Sequence, residues 1–334
     1  MASALPRPLA AKEHRVPFGG AIQIDYFDDD PAYVQAFVDR CDLIMPMNAL
    51  KFDLLRPDGD TFNFEPADRL VRFARDHGKL SRGHCFVWWG AVPAWLEAID
   101  DPREAERILI DHIETVADRF AGRLTSWDVV NEVMAHDPRE TGGPLRDTYW
   151  LRRLGPRHIP LAFQTAARAD PSARLVINDY DLEFAGDRYD ARRQVVLDIV
   201  RQLQDHNVPI HAVGVQGHLY AELAVDIEAL ACFGEALRRL GVGLLVTELD
   251  VIDWKIRGGP AEQDAAAEKA VSDLLTGLFA GQTPEAVICW GITDRYSWIP
   301  DVMPRPDGSP SRPLPLDADL RPKPWLETIL ARLG

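Results

Sequence analysis

The run DPREAERILIDHIETVADRFAGRLTSWDVVNE, residues 101–132, holds one complete helix-to-strand unit. Asp101 is a capping residue, and Pro102 suits the first helical position, where its missing N–H does no harm. From Arg103 to Phe120 the apolar residues recur at helical spacing, and Gly122 stops the helix. Leu124 to Asn131 then reads as a buried strand, and Asn131-Glu132 stands where its apolar character gives way to polar chain.

Outward from this unit the same rhythm repeats. Strands are expected at Phe18 to Ile24, Asp42 to Asn48, Leu80 to Trp88, Arg174 to Asn178, Ile210 to Gln216, Gly243 to Thr247 and Ala286 to Gly291. Helices are expected from Asp30-Pro31 onward, from Pro66 to His77, from His158 to Ala169, from Arg188 to Asn207, from Asp226 to Leu240, from Ala261 to Ala280 and from Trp325 to Leu333. Eight strands alternating with eight helices predict an α/β protein: a single (β/α)8 TIM barrel with its site at the C-terminal ends of the strands. An open doubly wound sheet is the alternative, but no glycine-rich phosphate loop follows any strand. Residues 1–17 are expected as an N-terminal arm and residues 18–334 as the domain. Pro300 to Pro324 carries eight of the 25 prolines. It predicts a long loop after the eighth strand that helps to form the site.

Composition limits the partners. Lys plus Arg number 37 against 52 Asp plus Glu, a formal charge of −15 over 334 residues. A nucleic-acid or anionic-membrane binder needs a clustered positive face, so neither partner is expected. No apolar run reaches the ~18 residues of a membrane span. Met1 to Gly20 lacks the pattern of a signal peptide. The protein is expected in the cytoplasm if Met1 is its native start, and in the periplasm or outside the cell if a leader was removed. Cys41, Cys85, Cys232 and Cys289 are too dispersed for a disulfide framework or a zinc site, and are expected as unpaired core thiols. No cofactor or metal is expected, and the chain is expected to act as a monomer.

Polar and aromatic residues crowd at the expected strand ends. His84 and Trp88-Trp89 belong to the third, Asn131-Glu132 to the fourth, Asn178-Asp179-Tyr180 to the fifth and Gln216-Gly217-His218 to the sixth. Glu248-Leu249-Asp250 follows the seventh; Trp290, Asp294 and Trp298 follow the eighth. Glu132 and Glu248 are the candidate catalytic pair, because acetal hydrolysis needs one carboxylic acid and one carboxylate. Asp250 and His218 are placed to form an Asp-His-Glu chain that holds Glu248 ionised as nucleophile. Aromatic and amide neighbours give Glu132 a setting suited to an acid, and later a base. Five of the nine tryptophans, Trp88, Trp89, Trp127, Trp290 and Trp298, fall in or beyond these strands. Their indole faces suit pyranose rings.

These motifs resemble those of glycoside hydrolase family 10, the retaining β-1,4-xylanases. The likeness runs from Phe18-Gly19-Gly20 to Arg321-Pro322-Lys323-Pro324. Its strongest pieces are Arg82-Gly83-His84, Trp127-Asp128-Val129-Val130-Asn131-Glu132, Asn178-Asp179-Tyr180, Gln216-Gly217-His218, Thr247-Glu248-Leu249-Asp250 and Trp290-Gly291-Ile292-Thr293-Asp294. The resemblance implies double displacement, with Glu248 as nucleophile and Glu132 as acid and base. Asn131, Asp128, His218 and Asp250 are implied as supporting residues. It also implies sugar contacts at His84, Gln216, Trp290 and Trp298, on the glycone side at Asn48, Lys51 and Trp88, and toward the leaving group at Asn178 and Tyr180; Trp89 is a candidate sugar contact through its aromatic face alone. The implied partner is a β-linked oligo- or polysaccharide.

The chain departs from the family where Glu-Asn and Trp-His-Ser-Gln are common. Here those stretches are Met47-Asn48 and Trp88-Trp89-Gly90-Ala91. Polar sugar contacts are thus replaced at Met47, Trp89 and Ala91. Xylan or xylo-oligosaccharide is the expected substrate. The alternative is the same mechanism on another β-glycan, a β-glucan, an exopolysaccharide or a decorated glycoside. A non-catalytic carbohydrate-binding barrel would lack one acid, and both are present.

Overall fold

The computed structural model describes residues 15–140 and 142–334, so most of the expected N-terminal arm lies outside the described residues. The strands are β1 (Phe18–Ile22), β2 (Leu43–Pro46), β3 (Leu80–Ser81), β4 (Gly83–Trp88), β5 (Ser126–Asn131), β6 (Arg174–Asp179), β7 (Ala212–Val215), β8 (His218–Tyr220), β9 (Gly243–Ile252) and β10 (Val287–Cys289). The chain divides into two compact units. One holds Met45–Asp179 and Ala191–Gly214; the other holds residues 15–44, Tyr180–Asp190 and Val215–Gly334.

In the first unit β4, β5 and β6 pair in parallel. Trp88 lies opposite Asn131, and Asn131 lies opposite Asn178. Three expected site residues therefore come into register at the carboxyl ends of neighbouring strands. The helix Pro102–Phe120 begins as its sequence requires, with Asp101 accepting from the Arg103 N–H and Pro102 in its first turn. It buries Ile108, Leu109, Ile113, Val116 and Phe120, one stripe of an amphipathic helix. Gly122 beyond it has φ 71°, the left-handed conformation that glycine tolerates.

The expected third strand is two. Leu80–Ser81 and Gly83–Trp88 are separated by Arg82, which is wholly buried. Its guanidinium reaches Ser126, Asp128 and the Met45 sulfur. Gly83 admits no side chain, because a Cβ there would fall 2.1 Å from Cε3 of Trp127. That approach fills the interior with Trp127, which is fully buried and stacks on Phe86 with ring centres 4.1 Å apart. Trp127 is core, and the expectation that its face meets a sugar is corrected.

In the second unit β1 pairs with β10, β10 with β9, and β8 with β9, all in parallel. β9 runs five residues past its expected end, and all ten of its residues are buried. Glu248 and Asp250 thus lie inside the strand rather than after it. The extension is held by β8, where His218 pairs with Asp250 and Tyr220 with Ile252. Three residues are too few for periodicity to reveal β8 in the sequence. None of the four cysteines is in a disulfide, but Cys232 is exposed on the helix Ile227–Arg239, against the expectation that all four are core thiols.

The proline-rich segment is a loop apart from the helical turn Ile299–Val302 at its start and Pro324, which opens the last helix. Its contacts fall on the exits of β9 and β10; after β10 the Leu316 N–H donates to the Ile292 carbonyl at 2.9 Å. The Pro313 carbonyl accepts from the Val251 N–H. Arg305 donates to the carbonyls of Asp253 at 2.5 Å and Ile256 at 2.7 Å.

Candidate active site

In the first unit the site is built on the ends of β4, β5 and β6. Glu132 follows β5 directly with φ 55°, and its N–H donates to the Asn178 carbonyl at 2.9 Å. A left-handed glutamate is unusual, and here the turn swings the side chain off the strand as soon as the strand ends. Asn178 donates from its amide to the Asn131 carbonyl oxygen at 2.8 Å, which fixes the Asn131 side chain. Asp128 is fully buried, paired with Arg82 and with His84 Nδ1 at 2.9 Å. It therefore orients His84, which is itself 2% exposed, and has no route to substrate of its own.

Trp89 stands beside Glu132, and Trp88 packs edge-on against Trp89. Trp89 donates its indole N–H to Glu132 Oε2 at 2.6 Å. Trp88 carries Lys51 Nζ over its ring at 4.6 Å, and Lys51 also donates to Asn48 Oδ1 at 2.9 Å. Asn48, Lys51 and Trp88 thus form one connected group. Met47 and Ala91 are 5% and 2% exposed, so each packs into protein rather than opening onto solvent. Gly90 makes room for Trp88: a Cβ at Gly90 would lie 2.7 Å from Cη2 of Trp88.

In the second unit a chain of hydrogen bonds runs through Glu248, His218, Asp250 and Trp298. His218 Nε2 lies 3.3 Å from Glu248 Oε2, and its Nδ1 lies 2.7 Å from Asp250 Oδ1. Trp298 donates its indole N–H to Asp250 Oδ2 at 2.7 Å. Burial alone would push the His218 pKa down. The Asp250 and Glu248 carboxylates outweigh it and hold the imidazole well above its ordinary value. Burial pushes the Asp250 carboxyl up, opposed by His218 and the Trp298 N–H. A protonated His218 between two acids donates to both, which favours an ionised Glu248. Trp290 and Trp298 meet the His218 ring edge-on, with centres 6.5 and 5.4 Å away.

The backbone beneath this chain is also tied. The Glu248 N–H donates to the Gln216 carbonyl at 2.8 Å, and the Asp250 N–H to the Gly217 carbonyl at 3.2 Å. Glu183 is completely buried and accepts from the N–H groups of Gly217 at 2.8 Å and Leu182 at 2.7 Å. Burial, then the Asp181 carboxylate, pushes Glu183 up to about 7. Tyr180 in this unit is partly exposed.

With the candidate residues of each unit described, the likeness to known proteins is direct. Residues 7–332 match the profile of glycosyl hydrolase family 10. The chain belongs to that family. It is 32% identical over 291 residues to endo-1,4-beta-xylanase 2 of Claviceps purpurea, covering 86% of this chain and 79% of that one. It is also 32% identical over 323 residues to Exoglucanase XynX of Acetivibrio thermocellus, covering 92% of this chain but 28% of that much longer one. Among solved structures it superposes on native xylanase 10B from Thermotoga maritima with a TM-score of 0.88, at 27% identity over 97% of this chain and 96% of the other. A family 10 chain of this kind is an O-glycosyl hydrolase of the endo-1,4-β-xylanase class, and its parallel strands form the expected (β/α)8 barrel.

Three residues that support these elements carried no signal in the sequence. Arg146 donates through Nε to the Glu132 carbonyl at 3.1 Å. Arg192 is wholly buried and bonds Asp179 at 2.5 Å and the Ala135 carbonyl at 2.5 Å. Glu183 is the third. Each acts through a contact between residues distant in the chain, and none lies in a motif of its own. Among the described residues no cluster of three or more His, Cys, Asp or Glu is arranged to hold a metal.

Proposed function

We propose that residues 18–334 act as one catalytic domain that hydrolyses β-1,4-xylosidic bonds of xylan or xylo-oligosaccharides with retention of configuration. Glu248 attacks the anomeric carbon while Glu132 protonates the departing glycosidic oxygen. A glycosyl ester forms on Glu248 and the aglycone leaves. Glu132, now ionised, takes a proton from water, whose oxygen attacks the same carbon and frees Glu248. The observation that carries this reading is the chain Glu248–His218–Asp250–Trp298, which turns the His218 Nε2 donor toward a carboxylate that must be ionised to attack. On the other side of the reaction, the Asn178 bond supports the role given to Asn131, holding its side chain for a sugar 2-hydroxyl.

Azide tests both assignments. With an activated aryl xylobioside, Glu132→Ala leaves a glycosyl ester that azide attacks, giving a β-glycosyl azide. Glu248→Ala admits azide in place of the nucleophile and gives an α-glycosyl azide. The opposite pairing, or full turnover by either variant on xylan, would overturn the assignment.

A second reading rests on the exoglucanase relative and on the replacement of polar glycone contacts at Met47, Trp89 and Ala91: the same chemistry on a β-glucan or decorated glycan. Aryl β-xylobioside and aryl β-cellobioside separate the two. A strong preference for the xyloside removes the second reading.

A further inference from the structure

Trp89 begins the turn Trp89–Ala91 that follows β4, and it is 46% exposed, high for a large apolar side chain. Despite that exposure its indole is held at three points. The N–H donates to Glu132 Oε2 at 2.6 Å. Trp88 meets it at a ring-centre distance of 5.7 Å and an angle of 61°. The Arg146 guanidinium lies over its ring, 4.8 Å from the centroid.

Arg146 closes the arrangement. Beyond Glu132 the chain turns back, with the Ala135 N–H on the Pro144 carbonyl at 2.9 Å and the Arg146 N–H on the Val133 carbonyl at 2.8 Å. That return brings the Arg146 Nε to the Glu132 carbonyl at 3.1 Å. One arginine thus grips both the backbone of Glu132 and the ring that grips its carboxyl group.

An indole N–H can only donate. Bound to Oε2, it places that oxygen as the carbonyl-like acceptor when Glu132 is protonated, and the acidic proton belongs on Oε1. It also removes the free rotation of the carboxyl plane about the last side-chain bond. A general acid works only when its proton is aimed at the leaving oxygen, so this fixation has a direct chemical use. We infer that Trp89 and Arg146 are positioning residues for the general acid, holding the Glu132 carboxyl so that Oε1 delivers the proton. This inference rests on the assignment of Glu132 as acid. It gives Trp89 a task that the sequence did not suggest, since its polar atom is committed to Glu132 rather than to a glycone hydroxyl.

Leaving-group dependence isolates that task. Xylobiosides of 2,4-dinitrophenol, which departs without protonation, are compared with those of an unactivated alcohol. The variants are Trp89→Phe, Arg146→Ala, Arg146→Lys and Glu132→Ala. Trp89→Phe keeps a ring under the guanidinium but lacks the N–H. The ratio of kcat/KM on the unactivated substrate to kcat/KM on the activated one is expected to fall about tenfold or more, as for loss of a charge-assisted hydrogen bond. Arg146→Ala is expected to lower the ratio in the same sense, and Arg146→Lys to recover part of it. An unchanged ratio in Trp89→Phe, or an equal loss on both substrates, overturns the inference while a collapsed ratio in Glu132→Ala keeps the acid assignment standing. If Glu132→Ala leaves the ratio intact, the acid assignment itself is wrong and the inference falls with it.

Discussion

Nδ1 of His218 lies 2.7 Å from Oδ1 of Asp250, and this contact decides that the other ring nitrogen faces Glu248. Asp250→Asn keeps the shape but removes the charge, and its amide N–H2 cannot accept from both His218 and Trp298. We expect kcat/KM to fall by about tenfold to a hundredfold. The same change has a pH signature. The folded-state pKa of His218 is raised, so its pairing contributes stability that is fully present below the ordinary histidine value and is lost as pH rises through the raised one. The stability deficit of Asp250→Asn should therefore be largest in acid and shrink toward alkaline pH, measured by urea unfolding. A deficit that grows with pH would show that His218 is not the cation of the pair.

Glu183 predicts a second pH dependence. Its carboxyl is pushed up to about 7 by burial, from an ordinary value of 4.5. The native state binds its proton more tightly than the unfolded chain does. The associated stability is present below the unfolded value and is lost as pH rises through about 7. The loss is of order 3.5 kcal/mol at most, since each pKa unit is worth about 1.4 kcal/mol. Glu183→Gln should flatten this decline between pH 5 and 8. It should also lower stability at pH 5, because the amide accepts only one of the two backbone N–H groups that the carboxyl holds.

The loop that follows β10 contains a buried ion pair whose removal is measurable. Lys323 Nζ lies 2.8 Å from both oxygens of Asp294 and donates to the Arg312 carbonyl at 2.8 Å. Burial raises Asp294 to about 6 even with this lysine beside it. Lys323→Met leaves a buried carboxylate without its cation, a change that costs about 3 kcal/mol or more. The cost should be smaller at pH 5, where Asp294 takes a proton, than at pH 8. Equal costs at both values would mean that lost packing of the lysine stem, rather than lost charge, dominates.

The barrel was legible because its signals are local. Asp101-Pro102 and Gly122 bound a helix by their own backbone preferences, and the buried strands are short apolar runs. Glu132 and Glu248 were legible because each interrupts such a run. What escaped depends on contacts across the chain. Arg82 breaks the third strand because it reaches Ser126 and Asp128. Trp127 looked like a sugar platform, yet Gly83 opens the space that takes it inside. Arg146 and Glu183 sit in stretches with no pattern, and only the fold brings them to Glu132 and Gly217.

Gly90 offers a test of the glycone side. The ring of Trp88 occupies the space where a side chain at Gly90 would stand, and a Cβ there would lie 2.7 and 2.8 Å from Cη2 and Cζ2. Gly90→Ala must therefore tilt Trp88, and with it the ring beneath Lys51 Nζ. The turn is exposed at Gly90, so the strain is relieved by moving the ring rather than by unfolding. Overpacking of this kind is worth about 1 to 3 kcal/mol. If Trp88 forms part of the glycone surface, that strain reappears as weaker binding. KM for xylohexaose should rise about tenfold while kcat changes much less. An aryl monoxyloside, too short to reach that surface, should show a smaller change in KM. A fall in kcat on both substrates with KM unmoved would instead place Trp88 beside the reacting sugar, and the glycone assignment of Asn48, Lys51 and Trp88 would have to be redrawn as a group.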